Sequence, residues 1–150
     1  MSAQAIASFI EYFGAFEAAL KTDDWSAVSN CLTENARYTV EGVPFACDLH
    51  GRQAIVRAMQ KSTSAFDATM DFRMLEIQSM IRVGAHCMRV DLISGYGREN
   101  IGSVTAPVTI EVTTNEDGIV SLKDIYDPEL TAPALTWLAI NCADANPSYL

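Results

Sequence analysis

Two phrases place ionisable side chains inside runs that are otherwise apolar and strand-like: Arg89-Val90-Asp91 and Lys123-Asp124-Ile125-Tyr126-Asp127. Charge is costly to bury, so a carboxylate in such a run is either paired or used. Side chains alternate faces along a strand. Arg89 and Asp91 therefore point the same way as Cys87 and Ile93, while Met88, Val90 and Leu92 point the other way. If the last strand runs from Ile119 to Tyr126, then Leu122, Asp124 and Tyr126 share a face. Where the two polar faces converge, Arg89 lies between Asp91 and Asp124 and bonds both carboxylates in an apolar pocket. That is an arrangement for proton transfer. Two carboxylates in one dry site cannot both ionise cheaply, so the pair is expected to titrate as a unit, with one proton retained near neutrality. The competing reading of Arg89 and Asp91 is an exposed ion pair on a sheet surface, worth ~0–1 kcal/mol.

Other reactive side chains carry less. Tyr38 reads either as a core aromatic with a satisfied hydroxyl or as a helper to the carboxylates. His50 sits in a loop beside Gly51, and His86 falls on the opposite strand face from Cys87, which argues against a Cys-His nucleophile. No His, Cys or carboxylate spacing resembles a metal-ligand set, so no metal and no organic cofactor is expected. Cys31, Cys47, Cys87 and Cys142 form neither a C-x-x-C pair nor a disulfide framework and read as small hydrophobes in a reducing cytoplasm.

The elements that must hold these residues follow from periodicity. Ile6, Phe9, Ile10, Phe13, Phe16 and Leu20 fall on one helical stripe. Asp23 or Asp24 caps a second, shorter helix carrying Trp25, Val28 and Leu32. A short strand at 36–40 follows, then an irregular stretch to Gly51. A third helix at 52–64 turns Ile55, Val56 and Met59 inward. Strand-like runs occupy 70–81, 85–96, 104–114 and 119–126. Gly95 through Gly102 marks a long turn, and Asn115-Glu116-Asp117-Gly118 a hairpin turn. Asp127-Pro128 favours a turn, and residues 133–142 form a last helix. Helices followed by a strand meander read as α+β, with three helices over one face of a curved sheet of four to six strands, a cone with a pocket. Residues 1–150 make one domain, its core at about 6–128 and a C-terminal helical extension at 129–150.

Bulk properties exclude several classes. With 49% hydrophobic and 19% charged residues the chain is globular rather than disordered. A net charge of −9 with ten scattered Lys and Arg argues against nucleic-acid or anionic-membrane partners. The N-terminal Met-Ser-Ala-Gln-Ala-Ile lacks the features of a secretion signal, and no apolar run reaches the length of a membrane span, so the expected location is the cytoplasm. An apolar stripe of Met88, Val90 and Leu92 on the outer sheet face would favour a homodimer through that face.

The order of elements resembles the cystatin-like cone of the nuclear transport factor 2-like superfamily. The likeness rests on Ala18-Ala19-Leu20-Lys21-Thr22-Asp23-Asp24-Trp25 at the first helix junction, Gly51-Arg52-Gln53-Ala54-Ile55 at the third helix and Asp117-Gly118-Ile119 at the last hairpin. Within it, Arg89-Val90-Asp91, Asp124-Ile125-Tyr126-Asp127 and Tyr38 are similar to the site phrases of limonene-1,2-epoxide hydrolase. The Asn two residues past that family's Tyr is Val40 here. The resemblance implies one-step hydrolysis of a small apolar epoxide. Asp124, helped by Tyr38, would activate water, Asp91 would protonate the opening oxygen, and Arg89 would orient both acids. Ketosteroid isomerase shares the fold, but its base would fall near Val40 and its acidic donor near Thr109 or Ile110. SnoaL-like polyketide cyclases or isomerases, and a cone that binds a small molecule without turnover, are the other readings.

Overall fold

A computed structural model describes residues 2–150; Met1, part of the N-terminal reading, lies outside them. Helix α1 (Ser2–Thr22) leads into the short α2 (Ser26–Cys31), strand β1 (Leu32–Glu41), the short β2 (Cys47–His50) and helix α3 (Arg52–Ala65). A 3-10 turn at Asp67–Thr69 precedes β3 (Phe72–Arg82), β4 (Cys87–Arg98), β5 (Gly102–Asn115) and β6 (Gly118–Ile125), and helix α4 (Pro128–Asn141) follows. The six strands form one sheet in the order β2-β1-β6-β5-β4-β3. It is antiparallel except where β1 lies parallel to β6. The expected α+β cone is the observed architecture, with α1, α3 and α4 packed against strands of the sheet.

Helix α1 is rotated from the expected stripe. Ala5, Phe9, Tyr12 and Ala19 are buried, whereas Ile6 and Ile10 are exposed. An aromatic ladder fixes the rotation: Phe9 packs on Tyr12 and Phe13, Tyr12 on Phe16, and Phe16 edge-on to Trp25 with centroids 5.4 Å apart. Asp24 accepts from the Ser26 amide to start α2. Its carboxyl is held below the usual range, chiefly by hydrogen bonds from Ser26. Leu32 belongs to β1 rather than to α2.

Three elements depart from the sequence expectation. The region 41–51 is not wholly irregular, because Cys47–His50 forms a strand against β1, tied by a two-pronged Arg37–Asp48 pair at 2.9 and 2.8 Å. Strand β4 continues through Gly95-Tyr96-Gly97 to Arg98, so these glycines serve close strand packing instead of a turn. A Cβ on Gly97 would stand 2.7 Å from the Gly102 carbonyl oxygen. Helix α4 begins at Pro128, with Asp127 capping it by accepting from the Glu129 and Leu130 amides.

The largest correction concerns β4. Met88, Val90 and Leu92 are 2%, 0% and 2% exposed and face the helices, so they form core and not an outer stripe. The reason is volume: the inner face of a central strand needs continuous apolar packing, and these three residues supply it. The stripe that favoured a homodimer therefore does not lie on the outer face. Apolar side chains that do remain outside, Phe72, Met74 and Ile81, belong to the edge strand β3. None of the helices among the described residues is long and apolar enough to cross a membrane.

Gly42 joins the fold to the cavity. Its φ is +85°, and a Cβ there would lie 1.9 Å from the Tyr126 carbonyl oxygen, while the Tyr126 amide donates to Glu41. Gly42→Ala should cost more than ~2 kcal/mol from strain and backbone displacement. Chemical denaturation would read this as a lowered midpoint with an unchanged slope.

Candidate functional site

The inner face of the sheet carries a cross-strand row set by register. Val40 of β1 pairs with Asp124 of β6, Asp124 with Ile110 of β5, and Ile110 with Val90 of β4. The row continues to Cys47 beyond Val40 and to Met80 beyond Val90. Asp124 is its one ionisable carboxylate, flanked on both sides by branched aliphatic residues. Tyr38, two residues before Val40 and on the same face, donates its hydroxyl to Asp124 Oδ2 at 2.6 Å. The Tyr149 hydroxyl lies 3.1 Å from that of Tyr38. Tyr38 has one proton and gives it to the carboxylate, so Tyr149 is the donor in this second bond.

A cavity surrounds this pair. Its inner chamber, about 100 Å³, is lined by Phe9, Tyr12, Phe16 and Met59 from the helices and by Tyr38, Asp124 and Tyr126 from the β1–β6 end of the sheet. It adjoins an outer chamber of about 680 Å³ under α4, and Ser94, Tyr96, Tyr126 and Tyr149 line both. The C-terminal segment straps the outer chamber onto α3. Ser62 donates to the Pro147 carbonyl at 2.7 Å, and the Asn146 amide donates to the Ala65 carbonyl at 2.9 Å. Tyr149 reaches inward from this strap to stand edge-on to the Tyr38 ring, centroids 5.5 Å apart.

The electrostatics follow from burial among apolar and aromatic side chains. Burial pushes the Asp124 carboxyl up to about 6, and the hydrogen bond from Tyr38 works in the opposite direction. Burial, and then the Asp124 charge, raise the Tyr12 and Tyr38 hydroxyls well above the ordinary tyrosine value. The hydroxyls therefore stay protonated and act as donors. Among the described residues the Tyr12 hydroxyl has only a long contact, to Met59 Sδ at 4.0 Å, which leaves it available. On the far wall Arg73 donates from Nε to Asp67 at 2.5 Å and from Nη1 to both Glu17 oxygens at 2.8 and 2.7 Å. Burial raises the Asp67 carboxyl although Arg73 draws it down. Among the described residues no group of three or more His, Cys, Asp or Glu is placed to hold a metal ion.

Of the four residues singled out from the sequence, the structure brings Tyr38 and Asp124 together and leaves Arg89 and Asp91 outside. The register explains the separation. Asp91 pairs with Thr109, and Thr109 with Ile125, the neighbour of Asp124 whose side chain takes the opposite face. On the outer face Asp91 accepts from Thr109 at 2.8 Å and from Ser79 at 2.9 Å, while Arg89 Nε stands 4.0 Å away. The hydrogen bonds from Thr109 and Ser79, followed by the Arg89 charge, hold the Asp91 carboxyl below its usual value. The expected convergence on Arg89, and a proton held by Asp91 near neutrality, are therefore corrected.

Sequence reasoning passed over Tyr12, Arg73 and Tyr149. Tyr12 was legible, lying three residues after Phe9 and four before Phe16. Arg73 sits in a predicted strand, where the argument applied to Asp91 holds equally. Tyr149 carried no signal, because a coil residue has no periodicity.

The raised carboxyl has a consequence for stability. Its folded value lies above the unfolded one, so the fold gains from this group in acid and loses that gain as pH rises through about 6. The full penalty at pH 8 is about 3 kcal/mol. Asp124→Asn keeps an acceptor for Tyr38 and removes the charge. Its stability relative to the natural protein should therefore improve by up to ~3 kcal/mol between pH 4 and pH 8 in denaturation series.

No protein-family model matches the chain, and no curated protein matches it. Solved structures do. A candidate isomerase from Rhodopseudomonas palustris superposes with a TM-score of 0.67 at 13% identity, covering 86% of this chain and 96% of that one. A nuclear transport factor 2-like protein from Burkholderia thailandensis gives 0.66 at 16% identity, with coverages of 88% and 97%. A protein of ketosteroid isomerase-like fold from Catenulispora acidiphila, in complex with trimethylamine, gives 0.60 at 15% identity, with coverages of 80% and 88%. The cone of this chain is thus the fold of the nuclear transport factor 2-like and ketosteroid isomerase-like proteins.

Proposed function

We propose that the protein is an enzyme of the proton-transfer type, an isomerase or cyclase acting on a small, mostly apolar molecule with an acidic C–H beside a carbonyl. The observation that carries this reading is the Tyr38–Asp124 bond of 2.6 Å inside an apolar cavity, with the carboxyl raised to about 6. A base of that strength is ionised at neutral pH and still basic enough to take a proton from carbon. Asp124 removes the proton, the carbonyl oxygen gains negative character, and Tyr12 donates to it. The protonated Asp124 then returns the proton to a second carbon. Tyr38, supported by Tyr149, holds the carboxylate in one orientation throughout. The solved candidate isomerase and the neighbour with a bound small amine support the fold's use as a small-molecule chamber.

Hydrolysis of an epoxide is a weaker reading. It retains Asp124 and Tyr38 as base and helper, but its acid Asp91 and its orienting Arg89 lie on the other side of the sheet. Val40, beside Asp124, offers a water no hydrogen bond.

The test is conversion of a β,γ-unsaturated cyclic ketone to its conjugated isomer in deuterium oxide, followed by absorbance and by deuterium incorporation. Asp124→Asn should lower the rate by ~10²–10⁴. The rate should rise with pH through about 6 and then level, since the base must be ionised. In Tyr38→Phe that inflection moves upward, because a bond favouring the ionised form is gone. Asp91→Asn and Arg89→Lys should stay within about twofold of the natural protein. Conversion indifferent to Asp124→Asn, or no conversion of any enone or epoxide offered, would sink the reading.

A further inference from the structure

The charges that line the inner chamber do not balance. Glu17, Asp67 and Asp124 oppose the single guanidinium of Arg73. Arg73 is already engaged, with Nε on Asp67 and Nη1 on Glu17. Among the described residues no cation is resolved as acting on Asp124, whose influences are burial and the Tyr38 hydroxyl. An ionised Asp124 thus faces a chamber whose one guanidinium is already held by two other carboxylates, an expensive condition for a buried group.

The walls are what a cation prefers. Aromatic rings on several elements surround the space: Tyr12 on α1, Tyr38 on β1, Tyr126 after β6 and Tyr149 on the strap. Phe45, in the wall of the outer chamber, stands edge-on to Tyr126 at 5.9 Å between centroids and tilted against Tyr149 at 6.4 Å. Ring faces attract a desolvated cation, and a box of rings with one carboxylate is a means of holding substituted ammonium groups. The inner volume of about 100 Å³ is that of about three waters, enough for a trimethylammonium-sized head. The outer chamber would take the remainder of the ligand. A net charge of −9 adds attraction for cations at long range.

We infer that the ligand of this cavity carries a cationic head, an alkylated ammonium or an iminium, seated among the rings of Tyr12, Tyr38, Tyr126 and Tyr149 against Asp124. The inference rests on the reading of Asp124 as the proton-carrying centre of the site and sets a cationic nitrogen in place of the carbonyl as the group that acidifies the C–H. It also fits the chemistry: an iminium nitrogen makes the neighbouring C–H acidic by itself, and Asp124 would then move a proton between carbons of a cation, with no oxyanion to stabilise. The Tyr38 hydroxyl, already bonded to the carboxylate, need not turn.

The experiment compares choline with its neutral carbon analogue, 3,3-dimethylbutan-1-ol, by calorimetry at pH 8 on the whole chain. Choline should bind at least tenfold more tightly. Asp124→Asn should remove that preference while leaving the alcohol within twofold, and Tyr126→Leu should weaken choline more than the alcohol. Equal binding of the two probes, tighter binding of the alcohol, binding of neither, or a choline preference that survives Asp124→Asn would overturn the inference. Enone conversion by the natural protein in the same buffer separates the two failures. If conversion persists without a choline preference, the cationic head is wrong and the proton-transfer site stands. If conversion is absent while the preference holds, the cavity is a cation-binding site without that chemistry.

Discussion

The placement of one carboxylate in an apolar cross-strand row is the constraint on which the rest of the cavity depends. Val40 and Ile110 stand on either side of Asp124 in the register, and neither can solvate a charge. The structure compensates with a single short bond from Tyr38, not with a cation. A guanidinium at that point would have drawn the carboxyl down and left a weak base. Arg73 supplies a cation elsewhere on the same chamber wall, but two carboxylates hold it. The segregation of these two polar groups lets the chamber contain an ion triad and a raised carboxyl at once.

The scaffold transmits that constraint through backbone contacts. Gly42 lets the chain between β1 and β2 pass against Tyr126, and so holds the strand end beyond Asp124 in place. The β1–β6 pair is the one parallel contact of the sheet, and it puts Tyr38 and Asp124, 86 residues apart in sequence, within one bond. The aromatic ladder on α1 sets the helix rotation that turns Tyr12 into the chamber. The third tyrosine arrives from the C-terminal strap, which α3 secures through backbone and serine hydrogen bonds.

Much of the fold was legible because it depends on period and turn chemistry. The helix at 52–64, the four long strands and the hairpin at Asn115–Gly118 all follow from local pattern. Strand β2 was hidden, since four residues between a Pro and a Gly give too little alternation to count. Face assignment was harder. Arg89-Val90-Asp91 alternates correctly, but alternation alone does not say which face is covered. Hydrophobic volume decided it, and Met88, Val90 and Leu92 outweigh Cys87 and Ile93. The phrase around Asp124 was read onto the right face because Leu122 and Tyr126 accompany it. The Tyr38–Asp124 contact followed from a family likeness more than from any local pattern, as contacts between distant strands do.

The open edge at β3 has a bearing on colloidal behaviour. Phe72, Met74 and Ile81 lie on a strand with a free row of backbone donors and acceptors, a template for strand addition between copies. At neutral pH the charge of −9 keeps such edges apart. That repulsion disappears near the isoelectric point of about 4.5, below the pH of about 6 at which Asp124 takes up its proton. The acidity that relieves the Asp124 charge is therefore also an acidity at which copies of the chain repel one another least.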